Sequence, residues 1–366
     1  MIAKSARMLA QAAHRAGFKP LAIDLFGDQD TRFYAEVTLK IPSLAKEHLL
    51  SAIASFVTRY PVACAVYGSG FEAHLDSLSS MATQLTLLGN HPDIFAEAQN
   101  KPQFFALLES FQIPFPEVSF RVQNQDRAWL RKPMQGEGGL GIRKHRTGDN
   151  NNSSGYWQIY QEGEPHSVLF LADGNRSQVI GFNRQWTVSL SDTDEFMFSG
   201  VINSANLTVE QKAKIHGWLD LLVSELSLKG LNTLDFIQSG QTSYVLEINP
   251  RPSASMQLYD ADLFARHIKA CQGELLADDI TQEYFTAYKI VYARRNTPIP
   301  NDFKWPDGFA DIPSSGSIIG AGQPICSIIT RGAEPDKVLR QLAVKQELIT
   351  NHLDRFQTHG IQRQRQ

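Results

Sequence analysis

Three oxygen-bearing side chains near residue 240 are the residues best placed for chemistry. In GLNTLDFIQSGQTSYVLEINPRPSAS, Gly230 to Ser255, two apolar-rich runs flank Ser239-Gly240-Gln241 and read as strands joined by a turn. Val245, Glu247 and Asn249 alternate with Leu246 and Ile248, so the pattern predicts the first three on one face. A tight turn places Asp235 within about one residue of the position opposite Glu247, where cross-strand neighbours stand roughly 5 Å apart. Two carboxylates that close, in apolar surroundings, repel unless something neutralises them. A divalent cation does so through oxygen ligands, and Mg²⁺ suits a sparse set of Asp235, Glu247 and Asn249 that leaves room for water and phosphate. The competing reading is a solvated hairpin face. Against it stand the apolar neighbours and Pro250-Arg251-Pro252, which ends the strand and puts a guanidinium where phosphate oxygens would lie.

A second constellation is Leu130-Arg131-Lys132-Pro133-Met134-Gln135-Gly136-Glu137-Gly138-Gly139-Leu140-Gly141. A strand delivers Lys132 into a loop with four glycines, whose backbone N–H groups can approach an anion closely. No Gly-Lys-Ser/Thr closes the loop, so it is not a Walker A motif. A strand rather than a helix follows, so it is not a dinucleotide fingerprint. Taken alone the segment is equally readable as a structural hairpin.

The elements that must position these groups follow from periodicity. A helix is expected over residues 5 to 17, a strand from Pro20 to Asp24, a helix over 44 to 59 and a buried strand from Val62 to Tyr67, ending at Gly68-Ser69-Gly70. That alternation implies a parallel α/β sheet over residues 1–95, with a first strand that is very short or missing. A helix follows from Lys101 to Phe111. Strands are then expected at Ala128–Lys132, Gly141–His145, Trp157–Tyr160, Ser167–Ala172 and Gln178–Phe182, with Thr147–Gly155 a polar turn. Residues 208 to 228 read as a helix, and another lies near 260 to 272. The remainder, 271–366, reads as a β-rich extension with strands at Tyr288–Ala293 and Ile325–Thr330 and a closing helix from about Pro335.

Composition narrows the class. The chain has 366 residues, 42% hydrophobic and 20% charged, with a net charge of −3 and no long basic run, which argues against a nucleic-acid surface. No apolar run reaches the ~18 residues of a membrane span. Cys64, Cys271 and Cys326 lack metal-ligand spacing and read as buried thiols. The amphipathic N-terminal stretch has no long apolar block, so a reducing cytoplasm is the expected compartment.

The order of a helix-borne Lys101, a strand-borne Lys132 with its glycine loop, QIYQEGEPHS, and the Asp235/Glu247/Asn249 hairpin resembles the ATP-grasp superfamily over about Asn90 to Asp260. Gly68-Ser69-Gly70-Phe71-Glu72 and the tail are similar to a subgroup of carboligases related to biotin carboxylase, with tyramine–glutamate ligase, of methanofuran assembly, as the nearest analogy. The resemblance implies a parallel α/β domain over 1–95, a two-lobed catalytic domain over 96–270 and the extension after it. It implies ATP and Mg²⁺, in two ions, with Mn²⁺ a substitute. Lys101 and Lys132 fall at the phosphate-binding lysines, Gly136, Gly138 and Gly139 in the loop over the phosphates, and Asp235, Glu247 and Asn249 at the metal positions. The adenine hinge falls on Gln158 to Gln161, with Tyr160 and Gln161 offering backbone groups and Gln158 standing where relatives carry an acid. Glu164, or else Glu162, falls at the ribose position. His166 reads as packing. Arg251 falls near the reacting carboxylate, or is tied up in an ion pair within the hairpin. Trp186 and Phe196–Phe198 are candidates for an amine pocket. The implied reaction joins a small-molecule carboxylate to an amine through an acyl phosphate. A carboxylase using carboxyphosphate is the enzymatic alternative, though no Met-Lys-Met biotin carrier is present, and a regulatory ATP-binding protein is the non-enzymatic one. The oligomeric state is left open.

Overall fold

The computed structural model describes residues 1–121, 127–146, 155–259, 262–277 and 282–363, with side chains to 353. Helix α1 (Arg7–Arg15), strand β1 (Leu21–Asp24), α2 (Gln29–Tyr34), β2 (Val37–Lys40), α3 (Lys46–Arg59), β3 (Cys64–Ala65), α4 (Leu75–Ala82), β4 (Thr86–Leu87) and α5 (Pro92–Gln99) form the N-terminal layer. β1 pairs with β2, and β3 with β4, both in parallel. Between the two pairs lies Ile2, bridged in parallel to Ile23 and to Tyr67. The central strand is thus about as short as a strand can be, yet it joins the two halves: Ile2 donates to the Val66 carbonyl at 3.0 Å and accepts from Gly68 at 2.9 Å. Ile2, Ile23, Ile53, Tyr67, Phe71 and Phe95 are buried in one core here.

α6 (Lys101–Ser110) comes next, followed by β5 (Val118–Ser119), β6 (Trp129–Lys132), β7 (Arg143–Lys144), β8 (Tyr156–Ile159), β9 (Glu164–Asp173), β10 (Ser177–Val188), β11 (Met197–Ile202), α7 (Val209–Leu226), β12 (Lys229–Ser239), β13 (Thr242–Asn249) and α8 (Leu263–Cys271). Last come β14 (Phe285–Tyr292), β15 (Thr297–Pro298), β16 (Phe309–Ala310), β17 (Ile318–Ile319), β18 (Pro324–Gly332) and α9 (Pro335–Arg363). Two antiparallel sheets result. The small one runs β5-β8-β6-β7 and the large one β13-β12-β9-β10-β11-β14-β18-β16, while β15 and β17 pair separately. The strands after residue 271 therefore prolong the same sheet that holds the hairpin.

That sheet is covered on both faces, which explains why its inner strands are continuously apolar. On β9, Val168, Phe170 and Ala172 meet α6 and α7, including Leu108, Trp218 and Leu222. Leu169 and Leu171 point the other way, toward α1 and α8 with Leu9, Leu263 and Phe264. Several expected strands are shorter or longer than the apolar pattern suggests. Gly141–His145 contracts to Arg143–Lys144, and Gln178–Phe182 extends to Val188 as β10. Residues 147–154 of the expected polar turn lie outside the described residues. The cysteine expectation needs correction: Cys326 is buried, Cys271 is half-buried and Cys64 is exposed, because Cys64 starts a two-residue strand rather than lying inside one. Among the described residues no helix is long and apolar enough to cross a membrane.

Candidate functional site

The hairpin forms with Asp235 directly opposite Glu247 and Thr233 directly opposite Asn249. One feature differs from strict alternation. The register shifts after Asp235, so that Phe236 pairs with Val245 and Leu246 is the extra residue of a β-bulge. Val245 therefore does not share the face of Glu247. It turns inward with Ile248, Leu234 and Phe236 into the core, and the bulge re-aims Glu247 and Asn249 together at the site. The Asn249 amide donates to the Asp235 carboxylate at 2.9 Å, and Gln185, on β10, donates to its other oxygen at 3.2 Å.

Lys101 touches this pair directly, and Lys132, from a separate element, acts on it through its charge. Asn100 caps α6 by accepting from the Gln103 N–H at 3.3 Å, and Pro102 occupies the first turn. The same turn is pinned to the hairpin by Gln99, whose amide donates to the Ile248 carbonyl at 2.8 Å. Lys101 is thereby buried with its ammonium 3.0 Å from Glu247. Lys132, at the end of β6, is buried too; it donates to the Gln158 side-chain oxygen at 3.1 Å and lies over the Tyr156 ring. Arg251, also buried, donates to Glu72 of the N-terminal layer at 2.6 Å and to Asn249 at 3.4 Å. Its ion pair is thus not within the hairpin but with a residue 179 positions away.

Charge balance sets the protonation of the site. Burial, then the neighbouring Glu247, raises the Asp235 carboxyl above its ordinary range. Burial alone would raise Glu247 as well, but Lys101 and Lys132 outweigh it and hold that carboxylate below its ordinary range. The Lys132 ammonium is lowered to about 8, chiefly by burial, with Lys101 adding repulsion against the attraction of Glu247. One carboxylate is thus secured as an anion and its partner is strained by like charge, which is the state a cation would relieve.

The glycine loop after Lys132 has positive φ at Gly138 (59°), Gly139 (82°) and Gly141 (74°). Gly139 passes so close to β11 that a Cβ there would lie 2.0 Å from the Phe196 carbonyl. Phe198 donates to the Gly138 carbonyl at 2.8 Å, and Gly141 donates to Asp194 at 2.9 Å. Gly136 lies among these residues, with Pro133 at its side.

The hinge behaves differently from expectation in two respects. The Tyr160 N–H is spent on the Ala128 carbonyl at 2.7 Å, leaving Gln161 as the backbone donor of that pair. The Gln158 side chain is buried and engaged with Lys132 rather than exposed on the hinge. Tyr160 is exposed, its ring 6.1 Å from that of Phe196. Glu162 and Glu164 both stand exposed. His166 stacks on Phe236, with its Nδ1 2.9 Å from the Glu164 carbonyl. Trp186 packs over Gly200 and against the core beneath α9. Gln185 and Tyr156 carry no signal in the sequence as parts of the site, and Glu72, though it ends the Gly68–Glu72 segment, carries none for its place at Arg251. Each is joined to it only by folding.

Whether the residues fit a nucleotide and a metal can be tested on their unmet needs. Gln158 Nε2, the Tyr156 hydroxyl and His166 Nε2 are buried without a hydrogen-bond partner, as are Asp24 Oδ2, Thr31 Oγ1 and Ser77 Oγ in the N-terminal layer; each such atom costs ~1–3 kcal/mol unless water or a ligand answers it. Gln158 and Tyr156 share one face of β8 with Lys132 opposite. Among the described residues no group of three or more His, Cys, Asp or Glu gathers for a metal. The trio at the hairpin is two carboxylates and one amide, a donor set for a hard, partly hydrated cation. Holding one requires the Asn249 oxygen, rather than its nitrogen, to turn toward Asp235. With that rotation the set fits.

Comparisons with known proteins bear on the family and the fold. Residues 98–255 match the family described as ATP-grasp domain. An uncharacterized protein of Methanocaldococcus jannaschii is 22% identical over 259 residues, 67% of this chain and 64% of the relative; the chain thus spans under two thirds of that curated relative's length. Among solved structures, the fold is similar to the biotin carboxylase domain of Hydrogenobacter thermophilus 2-oxoglutarate carboxylase, in complex with MgADP, ADP and bicarbonate. The TM-score is 0.71 at 15% identity, over 93% of this chain and 88% of that one. It is similar also to the L-amino acid ligase of Bacillus licheniformis, with a TM-score of 0.72 at 13% identity, over 94% of this chain and 96% of that one.

Proposed function

From the premise that this chain carries an ATP-grasp domain, at residues 98–255, we propose that it is an ATP- and Mg²⁺-dependent ligase joining a carboxylate to an amine. The observation that carries the reading is the opposed pair Asp235 and Glu247, set among the buried cations Lys101, Lys132 and Arg251 beside a glycine loop. Asp235, Glu247 and Asn249 would hold Mg²⁺, which when bound neutralises the charge on the phosphate oxygens.

The chain's own residues supply positioning and electrostatics, which phosphoryl transfer needs more than proton shuffling. Lys101 and Lys132 hold the phosphates. Lys132, lowered to about 8 in their absence, is driven back to full charge by an anion beside it. The loop from Gly136 to Gly141 excludes water, because an acyl phosphate hydrolyses readily. A carboxylate oxygen of the substrate attacks the terminal phosphorus and ADP leaves. An amine then attacks the acyl carbon, inorganic phosphate leaves, and the nitrogen gives up a proton. Arg251 lies beside Asn249 and stabilises the reacting carboxylate.

The substrates in this reading are small molecules. A role in one-carbon coenzyme assembly is supported by the likeness of Gly68–Glu72 and the tail to the tyramine–glutamate ligase subgroup, so tyramine with glutamate is the first pair to try. ADP release is measured with pooled carboxylates and amines. Release that needs both an amine and a carboxylate supports the ligase. Release driven by bicarbonate without an amine replaces amide formation by carboxylation. ATP binding with no acceptor-stimulated release overturns catalysis in favour of a regulatory role.

A further inference from the structure

Lys4 follows the short central strand of the parallel sheet, and its backbone is fixed on both sides. Its N–H donates to the Ser69 carbonyl at 2.8 Å, and its own carbonyl accepts from Leu25 at 3.2 Å. From this fixed point the side chain crosses to the glycine loop, where its ammonium lies 2.9 Å from Glu137. Beyond the loop's own Leu140 N–H to Glu137 carbonyl bond at 3.2 Å, its other contacts run to β11 and to the β10–β11 connection and hold its second half: Phe198 to Gly138, Asp194 to Gly141, and Glu195 N–H to the Ile142 carbonyl at 3.0 Å. Glu137 lies in the first half, between Gly136 and Gly138. Its charge is also felt at Arg251, whose partner Glu72 belongs to the same N-terminal layer as Lys4. Two ion pairs, Lys4–Glu137 and Arg251–Glu72, therefore tie that layer to the lid and to the floor of one site.

We propose that Lys4 is a positioning residue that latches the glycine loop shut through Glu137, so that the N-terminal layer controls how long the nucleotide stays bound. The proposal rests on the nucleotide-binding reading above. A loop with four glycines has many open conformations to choose from, and one charge contact from outside on its first half shifts the closed fraction without making any contact to the nucleotide. The Lys4 side chain is 42% exposed and that of Glu137 17%. A pair so placed biases the loop about threefold to fivefold, and salt screens it. That strength suits a latch that must also release product.

The test measures MgADP affinity and release rate in the full chain for Lys4→Met, Glu137→Gln, Lys4→Arg and the charge swap Lys4→Glu with Glu137→Lys. Each single neutral variant should release MgADP roughly threefold to fivefold faster at low salt. Lys4→Arg and the swap should recover most of the loss, and at 0.5 M salt all forms should converge. A structural role alone would not produce recovery by the swap. Single variants that release MgADP at the wild-type rate, or a swap no better than the singles, would overturn the latch. A second readout is independent of nucleotide: proteolysis within the loop should be faster in Lys4→Met than in wild type, and equal rates would also overturn it. If wild type binds no MgADP while Lys4→Met still loosens the loop, the latch stands and the nucleotide reading falls.

Discussion

Lys132→Met keeps the length of the side chain and removes its charge. In the folded protein the ammonium is lowered from 10.5 to about 8, mainly by burial. That gap of about 2.5 pH units corresponds to ~3 kcal/mol by which the charged lysine disfavours folding at neutral pH. Against this, Gln158 loses the donor that now meets its side-chain oxygen at 3.1 Å, which costs ~1–3 kcal/mol. The methionine variant should therefore be as stable as wild type at pH 7, or more stable by up to ~2 kcal/mol. The pH dependence is the sharper test. Because the folded value lies below the unfolded one, the unfolded chain binds the extra proton between about pH 8 and 10.5, and wild type gains stability with rising pH in that window. The variant lacks this gain. Relative to it, wild type should gain ~2 kcal/mol between pH 8 and 9.5. Urea denaturation of both proteins without nucleotide, at pH 7, 8 and 9.5, measures this. A difference that stays constant to within ~0.5 kcal/mol across those three points would refute the account of Lys132 as a desolvated cation awaiting an anion. If Lys132 binds the phosphates as proposed, the same variant should also lose at least ~10²-fold in ATP turnover.

The other expectations concern the parts around Lys132. Glu247→Gln should lower turnover at least ~10²-fold at saturating Mg²⁺; near-normal rates would remove Glu247 from the metal site. Glu72→Gln leaves Arg251 buried without its anion and should cost ~3–5 kcal/mol in unfolding free energy, read by denaturant midpoint. Gly139→Ala forces a side chain into the Phe196 carbonyl at positive φ; it should abolish turnover with little change in melting temperature, because the strain falls on a loop rather than the core. Mg²⁺ dependence should also shift with acidity. Asp235 is raised above the ordinary carboxylate range, so protons compete with the cation, and the Mg²⁺ needed for half-maximal nucleotide binding should rise as pH falls below neutral.

Much of the site was legible because its signals are local. Asp235, Glu247 and Asn249 sit on two runs joined by Ser239-Gly240-Gln241, and a hairpin is decided by neighbours in the chain. Lys101 stands between Asn100 and Pro102, residue types favoured at the N-cap and in the first turn of a helix. What escaped depends on partners distant in sequence. The bulge at Leu246 that sends Val245 into the core arises from fitting β13 to β12 while β12 is also bound along β9, and no alternation within β13 announces it. Arg251 found Glu72 only because the N-terminal layer was brought against the hairpin, and Lys132 found Gln158 only because β6 came to pair with β8. Cys64 has the composition of a core residue, but a strand of two residues leaves its first side chain exposed.

The hairpin strand β13 lies at the rim of the eight-stranded sheet, a position that ordinarily invites another chain to add itself by backbone pairing. Here the rim is sealed from within the molecule. Val245 donates to the Pro114 carbonyl at 2.8 Å, and the Ile248 carbonyl is capped by Gln99. The strand that carries Glu247 and Asn249 is thus shielded against fibril-like stacking in part by the same helix boundary that places Lys101, so loosening that boundary, for example with Gln99→Ala, would expose the protein to self-association as well as misplacing a charge.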